Sequence, residues 1–208
     1  MNRIFRITTS FLVLGVVAVS FSYQKPEKTI ENLKAAITGE SNASATYLAF
    51  SAKGADDGYP NIAKMFAAAS AAEAIHVKNH NAVLVKLGEE AFTAVVETPK
   101  VSSMAENLQT AIDDETHEFT VMYPDFISTA NAENCTDAIT TFRWARDAET
   151  THARLYTQAL NILKTTGNDK TVASVWYTCP RCGNLFDTIE ELNGCPLCGA
   201  RPASFLKF

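Results

Sequence analysis

Two short motifs in this 208-residue chain set a carboxylate and an imidazole three residues apart: Glu73-Ala-Ile-His76 and Glu149-Thr-Thr-His152. On an α-helix, residues three apart lie about 60° apart around the axis, so each pair can address one point inside a bundle. A glutamate precedes each motif at nearly equal distance, Glu40 by 33 residues and Glu115 by 34. The near-repeat predicts two similar helical hairpins facing each other, delivering four glutamates and two histidines to one place. A Glu from each of two helices and a Glu-x-x-His from each of the others is the ligand set of a dinuclear carboxylate centre. Burying so many carboxylates without cations is prohibitive. Two metal ions resolve the conflict, and hard oxygen donors with few imidazoles suit iron or manganese better than copper. Glu118 shares the face of Glu115, where the other hairpin has Ala43. It reads either as a seventh ligand or as a solvated side chain.

A second constellation closes the chain. Four of the five cysteines form the knuckles Cys179-Pro-Arg-Cys182-Gly183 and Cys195-Pro-Leu-Cys198-Gly199. Two C-x-x-C pairs, each followed by glycine, predict a tetrahedral tetrathiolate site, with glycine relieving the tight turn around each sulfur pair. Such a site accepts iron or zinc. Beside a dinuclear iron bundle, a one-electron iron tetrathiolate centre makes functional sense; a structural zinc ribbon and a pair of disulfides are the alternatives. Cys135 reads as a structural thiol, Phe142 and Trp144 as packing residues, and His80 and His117 as surface residues.

Helices must hold these ligands in place. From about Pro26 to Thr166 the sequence is rich in Ala, Glu, Lys and Leu. Four helical runs are predicted, over about 27–53, 60–88, 103–134 and 136–165. The first ends at the Gly54-Ala-Asp-Asp-Gly58 break, and the second opens on Pro60, suited to a first helical turn. A connection of about 14 residues containing Pro99 leads to the third, which starts on a capping-box pattern, Ser103-Met-Ala-Glu106, and is expected to kink at Pro124. Short turns within each pair and a longer crossover between pairs are the connectivity of an all-α, ferritin-like four-helix bundle.

Composition narrows the function classes. With 47% apolar and 20% charged residues, the chain can bury a real core. A net charge of −5 with no basic patch argues against nucleic-acid binding. Residues 1–22 have a cationic start and an apolar run from Phe11 to Phe21, and read as a secretory signal peptide and hence as export to the periplasm. An uncleaved N-terminal membrane anchor is the alternative. The expected division is therefore 1–22 signal peptide, 23–171 di-iron bundle and 172–208 metal-knuckle domain.

Taken together, Gly39-Glu40-Ser41 with Tyr47, Glu73-x-x-His76, Glu115-Thr-His-Glu118-Phe-Thr-Val-Met-Tyr123-Pro124, Glu149-x-x-His152 and the CPRCG and CPLCG knuckles resemble the rubrerythrin family over about residues 23–208. The resemblance implies a ferritin-like bundle with a C-terminal rubredoxin-like domain. It implies that Glu73 and Glu149 bridge two irons, with Glu40 and Glu115 as terminal ligands and His152 on the second iron. Glu118 and His76 would form a redox-dependent pair, and Tyr47 and Tyr123 would hydrogen-bond the carboxylates. The implied activity is reduction of hydrogen peroxide to water in oxidative-stress defence. An electron-donor protein or reductase would supply the rubredoxin-type centre, which serves the partner's di-iron site in a head-to-tail homodimer. The apparent signal peptide departs from the family, whose typical members are cytoplasmic. An iron-sequestering ferroxidase with a zinc ribbon, and a non-enzymatic metal-binding scaffold, are the competing functions.

Overall fold

The computed structural model describes residues 25–208; the signal-peptide expectation for 1–22 lies outside them. Helices α1 (Glu27–Asp56) and α2 (Pro60–Lys86) form the first hairpin. The buried positions of α1, including Leu33, Ala36, Ile37, Glu40, Tyr47 and Phe50, recur at three- and four-residue steps, the stripe by which a helix docks on a neighbour. α1 does not break at Gly54. A methyl group there would lie 3.3 Å from the backbone of Ala63, so the glycine lets α1 and α2 approach closely and the helix runs on to Asp56.

An extended crossover leads to α3 (Met104–His117), whose start carries the capping box formed by Ser103 and Glu106. A π-helical turn over Glu118–Met122 follows, and α4 (Tyr123–Ala132) completes this third arm of the bundle. The expected Pro124 kink is thus a change of helical register. Pro124 lies in the first turn of α4 and has no N–H to give, while the Tyr123 N–H reaches back five residues to the Glu118 carbonyl. Asn134 turns the chain at φ 56° into α5 (Thr136–Thr166), which ends on left-handed Gly167.

α1 packs on α2, and α3 and α4 pack on α5. Two apolar clusters fill the bundle. One centres on Tyr47, Phe50, Phe66 and Tyr156, the other on Leu33, Ile37, Tyr123 and Phe142. Between them lies a polar layer.

The tail folds into a sheet of three two-residue strands, β1 (Tyr177–Thr178), β2 (Leu185–Phe186) and β3 (Leu206–Lys207), antiparallel in the order β2-β1-β3. It is seated on the bundle of its own chain. Asp169 caps the start of α2 through the Asn61 and Ile62 N–H groups, Thr178 donates to the Ala68 carbonyl, and Asn79 donates to the Arg181 carbonyl. Among the described residues no helix is long and apolar enough to cross a membrane.

Candidate metal centre

The polar layer consists of the residues singled out by spacing. Glu40 from α1, Glu73 and His76 from α2, Glu115 from α3, and Glu149 and His152 from α5 are all buried. Ligand atoms of Glu40, Glu73, His76 and Glu149 gather within 4.8 Å of one another, and so do those of Glu73, Glu115, Glu149 and His152. Glu73 and Glu149 belong to both groups, so the arrangement is two adjoining sites sharing two carboxylates.

The imidazoles show what the sites require. His76 Nε2 lies 3.0 Å from the Cys182 carbonyl oxygen, and His152 Nε2 lies 3.1 Å from that of Gly183. A carbonyl only accepts, so each Nε2 carries the proton and each neutral ring presents a lone pair at Nδ1. Yet His76 Nδ1 stands 2.9 Å from both Glu73 Oε2 and Glu149 Oε1, and His152 Nδ1 stands 2.7 Å from Glu149 Oε2. Lone pairs so close to carboxylate oxygens need a cation between them. The same need appears in the buried atoms that have no hydrogen-bond partner: Glu40 Oε2, both oxygens of Glu73 and Glu149, and Nδ1 of both histidines. The residues fit a pair of metal ions.

Without metal, protonation must carry the balance. Burial, helped by nearby Glu149, pushes Glu40 up to about 7. Burial and neighbouring carboxylates likewise push Glu115 and Glu118 well above the carboxylate range. Burial opposes charge on His76 and His152, but the surrounding glutamates, Glu149 foremost, overcome it and raise both. Burial also works against ionised Glu149, and the two histidines outweigh it and hold its carboxyl low.

Glu118 stands apart from the two ligand groups. It opens the π turn, its Oε2 is buried without a partner, and a methyl group at Gly39 would come within 3.9 Å of its Oε1. It lines a cleft of about 260 Å³ with Gly39, Asn42, Tyr47, His117 and Met122. The two tyrosines each hold a terminal glutamate: Tyr47 donates to Glu115 Oε1 at 2.7 Å and Tyr123 donates to Glu40 Oε1.

One expectation is corrected. His80 is not a surface residue but fully buried, with Nε2 3.2 Å from Tyr123 Oη and Nδ1 3.1 Å from Thr141 Oγ1. It lies one turn beyond His76 on the same inward face, a four-residue step that could have placed it inside. His117 is exposed, as expected. The two knuckle carbonyls that hold the imidazoles carry no sequence signal.

The four knuckle sulfurs also lie within 4.8 Å of one another, with Cys179 to Cys198 and Cys182 to Cys195 each 3.5 Å apart. All are free thiols, so the disulfide alternative does not hold. Metal–sulfur bonds of about 2.3 Å in a tetrahedron imply sulfur separations of about 3.8 Å, so the cluster fits one metal ion. Gly183 and Gly199 close their knuckles at φ 79° and 74°. A methyl group on Gly183 would fall 2.2 Å from His76 Nε2, so only glycine lets the knuckle touch the bundle here.

A ferritin-like bundle with two carboxylate–imidazole sites and a tetracysteine knuckle defines an iron protein of the di-iron carboxylate class. Comparison with known proteins narrows the class. The family model described as rubrerythrin matches residues 31–160. Rubrerythrin-2 of Clostridium acetobutylicum is 36% identical over 188 residues, covering 88% of this chain and 98% of that protein. Nigerythrin of Nitratidesulfovibrio vulgaris is 36% identical over 170 residues, covering 82% and 81%. The structure of fully reduced, all-ferrous nigerythrin superposes with a TM-score of 0.76 at 33% identity, over 93% of this chain and 91% of that one. An open-pore ferritin from Archaeoglobus fulgidus, 16% identical with a TM-score of 0.62 over 74% of this chain and 94% of that one, shares the fold. The chain belongs to the rubrerythrin family, with the family's di-iron site and tetracysteine iron centre.

Proposed function

We propose that this protein is a non-haem di-iron peroxidase that reduces hydrogen peroxide to two waters, taking up two electrons and two protons. The observation that carries the reading is the joining of the two centres: the Cys182 and Gly183 carbonyls of the knuckle accept from the two imidazoles that face the carboxylate cluster. A storage protein has no use for a redox-active knuckle coupled to its ferroxidase ligands.

When bound, the irons supply two electrons and a pair of Lewis acids that stabilise charge on both oxygens as the O–O bond breaks. The chain does the rest. Glu73 and Glu149 serve as the shared carboxylates, Glu40 and Glu115 as the outer ones, and His152 as the imidazole on the Glu115 side. On the Glu40 side, Glu118 and His76 would be the alternative ligands, one for the oxidised and one for the reduced centre. Glu118 is suited to this because its Oε2 is buried and unpartnered and it is held on a π turn beside a cleft large enough to admit peroxide. Tyr47 and Tyr123 donate the hydrogen bonds that hold the outer carboxylates in place. Cys179, Cys182, Cys195 and Cys198 would hold the iron that supplies one-electron chemistry, with a donor protein or reductase as the source of electrons. The export expected from residues 1–22 belongs to the same proposal and is checked by sequencing the native N-terminus.

The test is anaerobic titration of the fully reduced, iron-loaded protein with hydrogen peroxide. The expected result is three peroxides consumed per two chains, two electrons from each di-iron pair and one from each tetracysteine iron, with no dioxygen released. Uptake of many irons per chain without peroxide consumption would favour iron sequestration instead.

A further inference from the structure

The buried contact between His80 and Tyr123 lies outside the ligand set, and its hydrogen-bond direction is forced. As a metal ligand Glu40 is ionised and can only accept, so in the loaded centre the single Tyr123 proton points at Glu40 Oε1. The Tyr123 oxygen must then accept from His80 Nε2, 3.2 Å away. A neutral His80 protonated at Nε2 has a lone pair at Nδ1, and the hydroxyl within reach, Thr141 Oγ1 at 3.1 Å, donates to it. The imidazole is fully buried against the rings of Tyr123 and Phe142, surroundings that disfavour an imidazolium. Burial, reinforced by His76, lowers its pKa to about 3. The result is a one-way chain, Thr141 to His80 to Tyr123 to Glu40, with one residue from each arm of the bundle.

The other half of the site lacks this reinforcement. The residue four beyond His152 is Tyr156, which meets Tyr47 ring to ring at 5.7 Å. Behind Tyr47 there thus stands a second phenol and not an imidazole.

We propose that His80 is a positioning residue for the Glu40 side of the centre: it fixes the Tyr123 hydroxyl on Glu40 and makes that hydroxyl a stronger donor, so that the carboxylate is held in place for metal. The two metal sites are thereby unequal in what supports their outer carboxylates. The proposal needs the metal site but not the peroxidase reading.

Two measurements test it. Nitrogen-15 NMR of histidine-labelled, zinc-loaded protein near neutral pH is expected to show His80 neutral and protonated at Nε2. An Nδ1-protonated ring or an imidazolium overturns the proposal. Second, cobalt(II) titration of His80→Leu is expected to weaken one of the two bundle sites about tenfold, the low end for loss of a residue that supports a ligand, and to leave the other unchanged. His80→Gln, which keeps a donor near the Nε2 position, restores the affinity. In a Tyr123→Phe background, His80→Leu adds nothing further, because its effect runs through the hydroxyl. Equal weakening of both sites, or additive effects of the two substitutions, overturns it. If His80→Leu does not fold, the NMR result and His80→Gln still decide.

Discussion

Glu118 and Gly183 show how far a single residue governs the chemistry. Glu118 is half-buried, with Oε2 buried and unpartnered, and stands outside both four-residue ligand groups. Glu118→Ala is expected to slow peroxide turnover more than tenfold while leaving the visible spectrum of the tetracysteine centre intact; unchanged turnover would remove Glu118 from the cycle. Gly183 combines φ 79° with a Cβ direction that runs into His76. Gly183→Ala is expected to lift the knuckle from the imidazole. Stopped-flow re-reduction of the di-iron site should slow sharply, with the single-turnover reaction of pre-reduced protein preserved. The buried carboxylates also set a pH dependence. Glu40, ordinarily near 4.5 and raised to about 7, keeps its proton in the folded metal-free protein after the unfolded chain has lost it. Stability therefore falls as pH climbs from about 4.5 to 7, by about 3 kcal/mol for this group. His76 and His152, both raised, add stability below their ordinary range that is lost at higher pH, the same sign. Thermal melts of the metal-free protein should show Tm dropping from about pH 5 to about pH 8, and metal loading should abolish the drop.

At the scale of elements, the π turn between α3 and α4 does what no α-helix could. Glu118 and Tyr123 both serve the centre, yet residues five apart on a regular α-helix point about 140° away from each other. The wider π turn brings them towards one face, and Tyr123 reaches Glu40. Deleting exposed Val121 from this turn should restore α-helical register and pull Tyr123 off Glu40. The expected outcome is a folded bundle with fewer than three irons per chain by metal analysis, the tetracysteine iron being retained. The capping box at Ser103 and the proline at the start of α2 were readable because caps are local. The continuation of α1 through Gly54 was not, since it depends on contact with Ala63 in another helix.

For the whole molecule, the decisive fact is that the knuckle rests on the bundle of its own chain, anchored by Asp169 and Thr178. The resemblance implies a knuckle that serves a partner's di-iron site; within the single chain the knuckle also meets its own bundle. Service within one chain predicts that mixing a Cys179→Ser/Cys195→Ser variant with Glu118→Ala leaves turnover unrecovered. Recovered turnover would show that the knuckles are exchanged between subunits. In the cysteine variant alone, re-reduction should stop while a single turnover of chemically reduced protein remains.

Residue type and helical spacing were enough to single out the residues that the fold gathers into the polar layer and the knuckle, because a metal site's chemistry lies in those two properties. Paired Glu-x-x-His motifs, their matched upstream glutamates and the two C-x-x-C knuckles are all local patterns. The helices that carry them were equally legible, through apolar periodicity and caps. Folding in three dimensions was needed to put His80 inside, to leave Glu118 beside the ligand groups, and to aim two knuckle carbonyls at the imidazoles. These features depend on which backbone atoms meet across long stretches of chain, 106 residues for His76 and Cys182, and a backbone carbonyl looks the same at every residue.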